Sequence, residues 1–328
     1  MNEPEITPGS VGVVVPVITP LDEQEHVDEH AFRAVIRRCL DAGTEGIFAG
    51  GSAGLGPLLT DRTWRRVMEI AREEVNDGRI LMGGVIATSA ARAIEQIRVL
   101  EQVGIESMAV TPPFYIPLRQ QEEYLAYFGA CRQATGMQMV VYNIPSLTKG
   151  NIPVEVVHRM AQERWVGLIK ESSGNRDYFS ALLAIGREFG IGVMQGNEPD
   201  MAWGLSCGAA GVVPVCANYE PRTYVAAVQA ARRGDTILLE KAQQRVSWIR
   251  EQLAVDQPNW IGGIMYGLST LGIGRGLPIR PLASVTDAQR ERIQQLQVLD
   301  LVPPSQRIQS VAEPRTHARQ DQTSQLRK

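Results

Sequence analysis

Residues 165–174, WVGLIKESSG, contain the pattern that decides the fold. The apolar residues before Lys170 predict a buried strand, and the Ser-Ser-Gly after it predicts a loop. Residues 139–145, MVVYNIP, repeat this form, with Tyr142 near the end of the strand. Residues 46–54, GIFAGGSAG, form a third apolar strand that runs into a glycine-rich turn. Strands that are apolar throughout are typical of parallel sheets covered by helices on both faces.

Strand-like and helix-like segments alternate along most of the chain. Between the strands, apolar residues recur with the helical period, as in the stripe that follows the predicted N-cap Thr60. Eight strand–helix units with right-handed crossovers predict an α/β protein with a (β/α)8 TIM barrel and a C-terminal helical appendage. An open doubly wound sheet is the alternative. The predicted strands are residues 12–18, 46–50, 80–86, 107–111, 138–142, 166–170, 192–195 and 211–216.

The domain organisation follows from this alternation. We expect an N-terminal extension at residues 1–10, the barrel at 11–220, and the last barrel helix with a C-terminal helical region at 221–302. Residues 303–328 are rich in Gln, Ser, Arg and Pro and predict a disordered tail. The glycine-rich stretch at 272–276 follows no strand, so it predicts a turn between helices rather than a nucleotide loop.

Composition narrows the function classes. The 328-residue chain has a formal net charge of −3, which favours neither nucleic acid nor an anionic membrane as a partner. No apolar run reaches the length of a transmembrane helix, and the amino terminus lacks the pattern of a secretory signal. The four cysteines lack CxxC spacing, which indicates a reducing compartment, so we expect a cytoplasmic protein.

Two side chains at strand ends are candidate catalytic residues. Lys170 ends an apolar strand, where poor solvation should lower its pKa and leave a nucleophilic amine that condenses with ketones. The alternative is a lysine whose charged end simply reaches water. Tyr142 ends the preceding strand, so its phenol should be close enough to act as an acid–base group. The alternative is a core tyrosine whose hydroxyl reaches the rim.

The turn Gly51-Ser-Ala-Gly54 is a candidate anion site. Consecutive backbone N–H groups in such a turn bind a carboxylate without a protein charge, although a tight turn that binds nothing is the alternative. No metal site is expected, because none of the histidines lies at a strand end beside a carboxylate or cysteine. The histidines are His26, His30, His158 and His317.

These motifs resemble those of the dihydrodipicolinate synthase and N-acetylneuraminate lyase family, the pyruvate-type Schiff-base aldolases. The resemblance rests on the tyrosine of VYNIP, the lysine of LIKESSG, the turn at 51–54 and the segment GAAGVVPVCAN at 208–218, and it extends over about residues 10–300. It implies a lyase or aldolase in which Lys170 forms an imine with pyruvate or a larger 2-oxo acid. No cofactor is expected, since the protonated imine is itself the electron sink. The resemblance also implies a homo-oligomer, by analogy a homotetramer.

The resemblance assigns further site residues. The backbone amides of Ser52 and Ala53, within the turn that starts at Gly51, would hold the substrate carboxylate, and the Ser52 hydroxyl would relay protons. Asn197 and Glu198 match the segment where sugar-acid lyases hold distal hydroxyls. Glu198 and Asp200 are alternatively caps for the following helix. Ser172 and Ser173, just after the lysine, are secondary candidates.

Three positions depart from the family pattern. Leu55 stands where a glutamate is usual, and Leu147 stands where dihydrodipicolinate synthases use an arginine to hold the carboxylate of the aldehyde. N-acetylneuraminate lyases also tend to lack that arginine. The second tyrosine of the Thr-Pro-Tyr-Tyr motif, which reaches across a subunit interface, falls on Phe114. Tyr115, one position later, is the candidate substrate-binding residue that could replace it. An apolar Leu147 cannot bind a carboxylate, so we expect a less acidic or more apolar aldehyde partner.

The predicted function is therefore a Schiff-base-forming aldolase or lyase that makes or breaks a C–C bond between a 2-oxo acid and an aldehyde. Three alternatives remain open from the sequence. The first is a dehydratase or hydratase-aldolase acting on 2-oxo (sugar) acids, and the second is an authentic dihydrodipicolinate synthase. The third is a non-catalytic 2-oxo acid binding protein with a degraded proton relay.

Overall fold

The computed structural model describes residues 11–75 and 78–298, so the extension predicted at 1–10 and the tail predicted at 303–328 lie outside the described residues. Its eight parallel strands pair in chain order and close into a barrel, because the first strand also pairs with the eighth. The predicted barrel is confirmed and the open sheet is excluded. The strands are β1 (Gly12–Pro16), β2 (Gly46–Ala49), β3 (Ile80–Val85), β4 (Ser107–Val110), β5 (Gln138–Asn143), β6 (Leu168–Glu171), β7 (Gly192–Gln195) and β8 (Gly211–Val212).

Two strands end two or more residues earlier than their apolar runs predict. β1 ends at Pro16 although the apolar run continues to Ile18, and β8 ends at Val212 although its run continues to Cys216. Each run contains a proline, Pro16 or Pro214, and a proline has no N–H to donate to the neighbouring strand. The chain after β8 instead forms a 3₁₀ turn at Cys216–Asn218.

Helices follow the strands around the barrel and continue beyond it. Several begin after a side chain that caps the first turn; the predicted cap Thr60, for example, accepts a hydrogen bond from the Thr63 amide. The helices are α1 (Glu29–Asp41), α2 (Asp61–Glu74), α3 (Ala90–Val103), α4 (Gln121–Gln133), α5 (Pro145–Thr148), α6 (Val154–Gln162), α7 (Arg176–Phe189), α8 (Met201–Ser206), α9 (Pro221–Arg233), α10 (Thr236–Gln252), α11 (Trp260–Thr270) and α12 (Asp287–Gln294).

The C-terminal helices α10 to α12 form the predicted appendage. Helix α10 is tied to the barrel by ion pairs of low exposure, such as that between Arg245 and Glu220 at 2.8 Å. The glycine-rich stretch at 272–276 lies between α11 and α12, as the absence of a preceding strand predicts. Among the residues that the structure describes, no helix is long and apolar enough to cross a membrane.

The barrel has two apolar layers. Alternate strand residues face outward and pack against the helices, whereas the others fill the inside of the barrel. The inner cluster includes Val14, Phe48, Met82, Ala109, Val140, Leu168 and Met194. It closes the barrel below the carboxyl ends of the strands, where the polar ends of Tyr142 and Lys170 lie. Catalytic groups of this fold gather at that face.

Candidate active site

Lys170 occupies the third position of β6 and pairs in register with Tyr142 on β5 and Met194 on β7. Its side chain is only 5% exposed. Burial lowers the pKa of Lys170 to about 7, while the negative charge of Glu198 opposes this shift. At neutral pH a large share of the molecules therefore carries an uncharged amine at the carboxyl end of the barrel. Such an amine is a nucleophile toward carbonyl carbons.

Two aromatic rings surround the amine. The Lys170 Nζ atom lies 3.9 Å from the centroid of the Tyr142 ring and 4.9 Å from that of Phe48. The two rings meet edge to face, with centroids 6.0 Å apart. Phe48 was missed in the sequence analysis. The period-two alternation of β2 was the available signal, because it places Phe48 inside the barrel while Ile47 and Ala49 face outward.

The Tyr142 phenol is buried beside two hydroxyl groups. Its side chain is 3% exposed, and burial raises the pKa of Tyr142 to about 12, an increase opposed by hydrogen bonding with the hydroxyls of Ser52 and Ser172. The phenol is therefore protonated at neutral pH and has two hydroxyl neighbours. Ser172, a secondary candidate in the sequence, thus lies beside the Tyr142 phenol, whereas its neighbour Ser173 does not. The Ser173 hydroxyl instead accepts from the Asn175 amide.

The loop after Lys170 is held by a buried carboxylate. Glu171 is 1% exposed and accepts hydrogen bonds from the Ser173 amide and, at 2.7 Å, from Nδ2 of Asn143. Burial raises the pKa of Glu171, and these hydrogen bonds oppose the rise. Asn143 in turn accepts from the Ile152 amide. The ends of β5 and β6 are therefore locked together, which fixes the relative positions of Tyr142 and Lys170.

The turn after β2 has the form of an anion site. Gly50 has a φ of +61°, and a side chain at Gly56 would begin 2.0 Å from the Gly50 carbonyl oxygen, so both positions require glycine. The turn is closed by a hydrogen bond of 3.0 Å from the Gly56 amide to the Gly51 carbonyl. Among the described residues, neither the Ser52 nor the Ala53 amide donates to a protein acceptor. Both amides are therefore available to a ligand.

The departures from the family pattern occupy different environments. Leu55 is fully buried in the outer core and Leu147 is 47% exposed on the short helix α5. Phe114 is half-buried, whereas Tyr115 is 86% exposed and has a φ of +69°. Tyr115 thus has little contact with its own chain, and whether it replaces Phe114 as the reaching aromatic stays a prediction.

Asn197 and Glu198 follow β7. Asp200 occupies the N-cap position of α8, but its side chain makes no capping hydrogen bond, and Glu198 does not cap this helix, so side-chain capping by these two carboxylates is wrong. Glu198 is drawn inward instead. Its Oε1 accepts from the Cys216 amide at 3.0 Å and from the Tyr224 hydroxyl at 2.6 Å, and its Oε2 pairs with Arg250.

The neighbouring polar groups are also paired. The side-chain Nδ2 of Asn197 donates to Oδ2 of Asp200 at 2.7 Å. A substrate contact with Glu198 or Asn197 would therefore compete with protein partners, and it remains a prediction. In the part of the chain described, no group of three His, Cys, Asp or Glu side chains is placed to hold a metal ion.

The fold and this geometry define the class of (β/α)8-barrel proteins with a buried lysine amine at the carboxyl ends of the strands. The model of the dihydrodipicolinate synthetase family matches residues 9–298. A 4-hydroxy-tetrahydrodipicolinate synthase of Anaeromyxobacter dehalogenans is 28% identical over 88% of this chain and 96% of its own length. An uncharacterised DapA-like lyase of Halobacterium salinarum is 28% identical over 87% of this chain and 92% of its own.

A solved dihydrodipicolinate synthase structure superposes with a TM-score of 0.79 at 25% identity, over 86% of this chain and 96% of its own. The chain belongs to the dihydrodipicolinate synthetase family. Membership confirms the predicted class of activity, a Schiff-base-forming carbon–carbon lyase that acts on pyruvate or a larger 2-oxo acid. The alternative of a non-catalytic binding protein is thereby set aside.

Proposed function

We propose that Lys170 carries the Schiff base and that the partner of the 2-oxo acid is a neutral or apolar aldehyde. The observation that carries the first part is the buried Lys170 amine, whose pKa of about 7 leaves it partly uncharged beside the phenol of Tyr142. The described part of the chain contains two other lysines, Lys149 and Lys241, and both are exposed.

The reaction begins when the lone pair of Lys170 Nζ attacks the keto carbon of the 2-oxo acid. The carbonyl oxygen takes up a proton and the attacking nitrogen loses one, which gives a neutral carbinolamine, and this hydroxyl leaves as water after a second protonation. Tyr142 donates and recovers these protons, and the Ser52 and Ser172 hydroxyls exchange protons with the phenol. The protonated imine then accepts the electron pair of a departing β-proton or of a breaking C–C bond. Hydrolysis of the final imine releases product and restores the amine.

The substrate carboxylate binds at the turn after β2. The amides of Ser52 and Ala53 have no protein acceptor among the described residues, and fixed backbone dipoles hold an anion without a charged side chain. A carboxylate there keeps the keto carbon oriented toward Lys170. The family pattern has a second hydroxyl where this chain has Ala53, but the change leaves the backbone N–H donation intact.

The aldehyde partner is assigned from Leu147. The named activity of several relatives would make the protein a 4-hydroxy-tetrahydrodipicolinate synthase, and an acidic aldehyde would then need a cation near this position. A leucine side chain offers no hydrogen bond to a carboxylate. The dehydratase alternative shares the same imine with Lys170 and differs only in which group leaves.

Borohydride trapping tests the Schiff base. Incubation with pyruvate and borohydride should add one reduced pyruvate per chain at Lys170, as read by intact mass and peptide mapping, and Lys170→Ala should abolish the adduct. Lys149, Lys241 and Lys328 serve as internal controls and should stay unmodified. An adduct at one of them, or none with any of a panel of 2-oxo acids, would overturn the proposal.

The small-molecule partners are a 2-oxo acid and an aldehyde, and the chain assembles as a homo-oligomer, by family resemblance a homotetramer. The cytoplasmic location expected from the sequence also stays a prediction. Sedimentation of the purified chain would check the assembly.

A further inference from the structure

We propose that Phe48 is a positioning residue whose ring face stabilises the cationic forms of the Schiff-base nitrogen. The inference rests on the proposed imine at Lys170. It adds a role for a side chain that carries no charge and no hydrogen-bonding group.

The geometry provides the first argument. The Lys170 Nζ atom lies over the Phe48 ring at 4.9 Å from its centroid and over the Tyr142 ring at 3.9 Å. The negative face of an aromatic ring attracts a cation within about 6 Å of the centroid, most strongly where water is excluded. Phe48 is fully buried and Lys170 is 5% exposed, so water screens this contact little.

The chemistry provides the second argument. The nitrogen must be uncharged to attack the keto carbon and cationic to act as an electron sink once the imine has formed. A carboxylate in contact with the amine would favour the cation strongly, but it would also repel the carboxylate of the 2-oxo acid. An aromatic face supplies a weaker attraction without a net negative charge. The ring therefore supports the protonated imine while leaving part of the free amine uncharged.

The packing of the ring provides the third argument. A side chain at Gly51 would begin 2.8 Å from Cε1 and Cζ of Phe48, so the ring lies directly against the turn proposed to bind the carboxylate. Its edge-to-face contact with Tyr142 spans 6.0 Å between centroids. Phe48 thus touches the acid–base residue, the amine and the anion turn at once.

Ring electronics can be changed without changing this packing. Phe48→Leu would also loosen the Gly51 turn, so the test replaces Phe48 with mono-, di- and trifluorophenylalanine, which weaken the negative ring face in steps. The same series at Phe128 is the matched control, because Phe128 is equally buried but lies on α4 and packs against Tyr127. The readout is the rate of pyruvate adduct formation with cyanoborohydride, which reduces the protonated imine.

The pH at which the rate is measured separates electronics from packing. At pH 9 the free amine of Lys170 is uncharged, whereas the form of the imine that cyanoborohydride reduces is the protonated cation, so the trifluoro ring should slow trapping about 3- to 30-fold. At pH 5.5 the free amine is cationic as well. The trifluoro ring then weakens the attraction to the free ammonium and to the protonated imine alike, so the rate should change less than about twofold.

A stepwise loss at pH 9 that is absent at pH 5.5 and absent in the Phe128 series supports the proposal. A flat Phe48 series with intact trapping at Lys170 would overturn the role of Phe48 alone. An equal loss at both pH values would show that the ring acts only by packing, and it would also overturn the proposal. Failure of the unmodified protein to trap pyruvate at Lys170 would instead remove the Schiff base itself.

Discussion

Replacement of Lys170 by methionine should make the protein more stable and inactive. The pKa of the buried amine is about 7, against an ordinary value of 10.5. Each unit of this difference corresponds to about 1.4 kcal/mol between the two protonation states, so burial of the ammonium costs roughly 3–5 kcal/mol below pH 7. Methionine has a similar length and no charge, so Lys170→Met should recover much of this free energy of unfolding.

The gain should depend on pH in a defined direction. Because the folded pKa lies below the unfolded one, the unfolded chain binds more protons between about pH 7 and 10.5. Wild-type stability with respect to Lys170 therefore rises with pH across this window. The advantage of the methionine variant should be largest below pH 7 and should shrink as the pH approaches 10.

Urea unfolding at fixed protein concentration between pH 6 and pH 10 would measure this difference. Lys241→Met is the matched control, since Lys241 is exposed on α10 and its removal should change stability by less than about 0.5 kcal/mol at any pH. A Lys170→Met variant that is no more stable than wild type at pH 6, or whose gain is the same at pH 6 and pH 10, would refute the argument that the amine is held at a desolvation cost.

Three further outcomes are expected. Tyr142→Phe should keep the fold but slow imine formation roughly 10²- to 10⁴-fold in stopped-flow trapping; rates within a few-fold of wild type would assign the proton to another group. Ser172→Ala should slow the same step about 10-fold, whereas Ser173→Ala should not, and equal effects would contradict the placement of Ser172 beside the phenol. Leu147→Arg should raise kcat/KM for an acidic aldehyde relative to a neutral one about 10- to 150-fold, the equivalent of about 1.5–3 kcal/mol for a charge-assisted pair. If the wild-type enzyme already uses aspartate semialdehyde as readily as a neutral aldehyde, the specificity argument is wrong and the ordinary dihydrodipicolinate synthase assignment replaces it.

Local patterns in the sequence were sufficient for the barrel. Apolar strands of similar length, separated by helical stripes, require helices on both faces of a parallel sheet. The end of such a strand is also a local property, so the sequence alone predicts a poorly solvated Lys170 and a phenol on the strand before it. The prolines at 16 and 214 were visible too, but the apolar runs around them hid the early ends of β1 and β8.

Other features depend on which distant residues meet. The pairing of Glu198 with Arg250 joins residues 52 positions apart, and it decides that this carboxylate turns inward instead of capping a helix. Phe48 reaches Lys170 across the barrel, and Ser172 rather than Ser173 reaches Tyr142. The sequence by itself determined the strands, the helices and the residues at their ends, because burial and periodicity follow from the local pattern of apolar residues. Only the closed barrel decided which side chains lie next to those strand ends. Strand register and barrel closure set these distances, and the residues concerned are too far apart in the sequence for a local pattern to relate them.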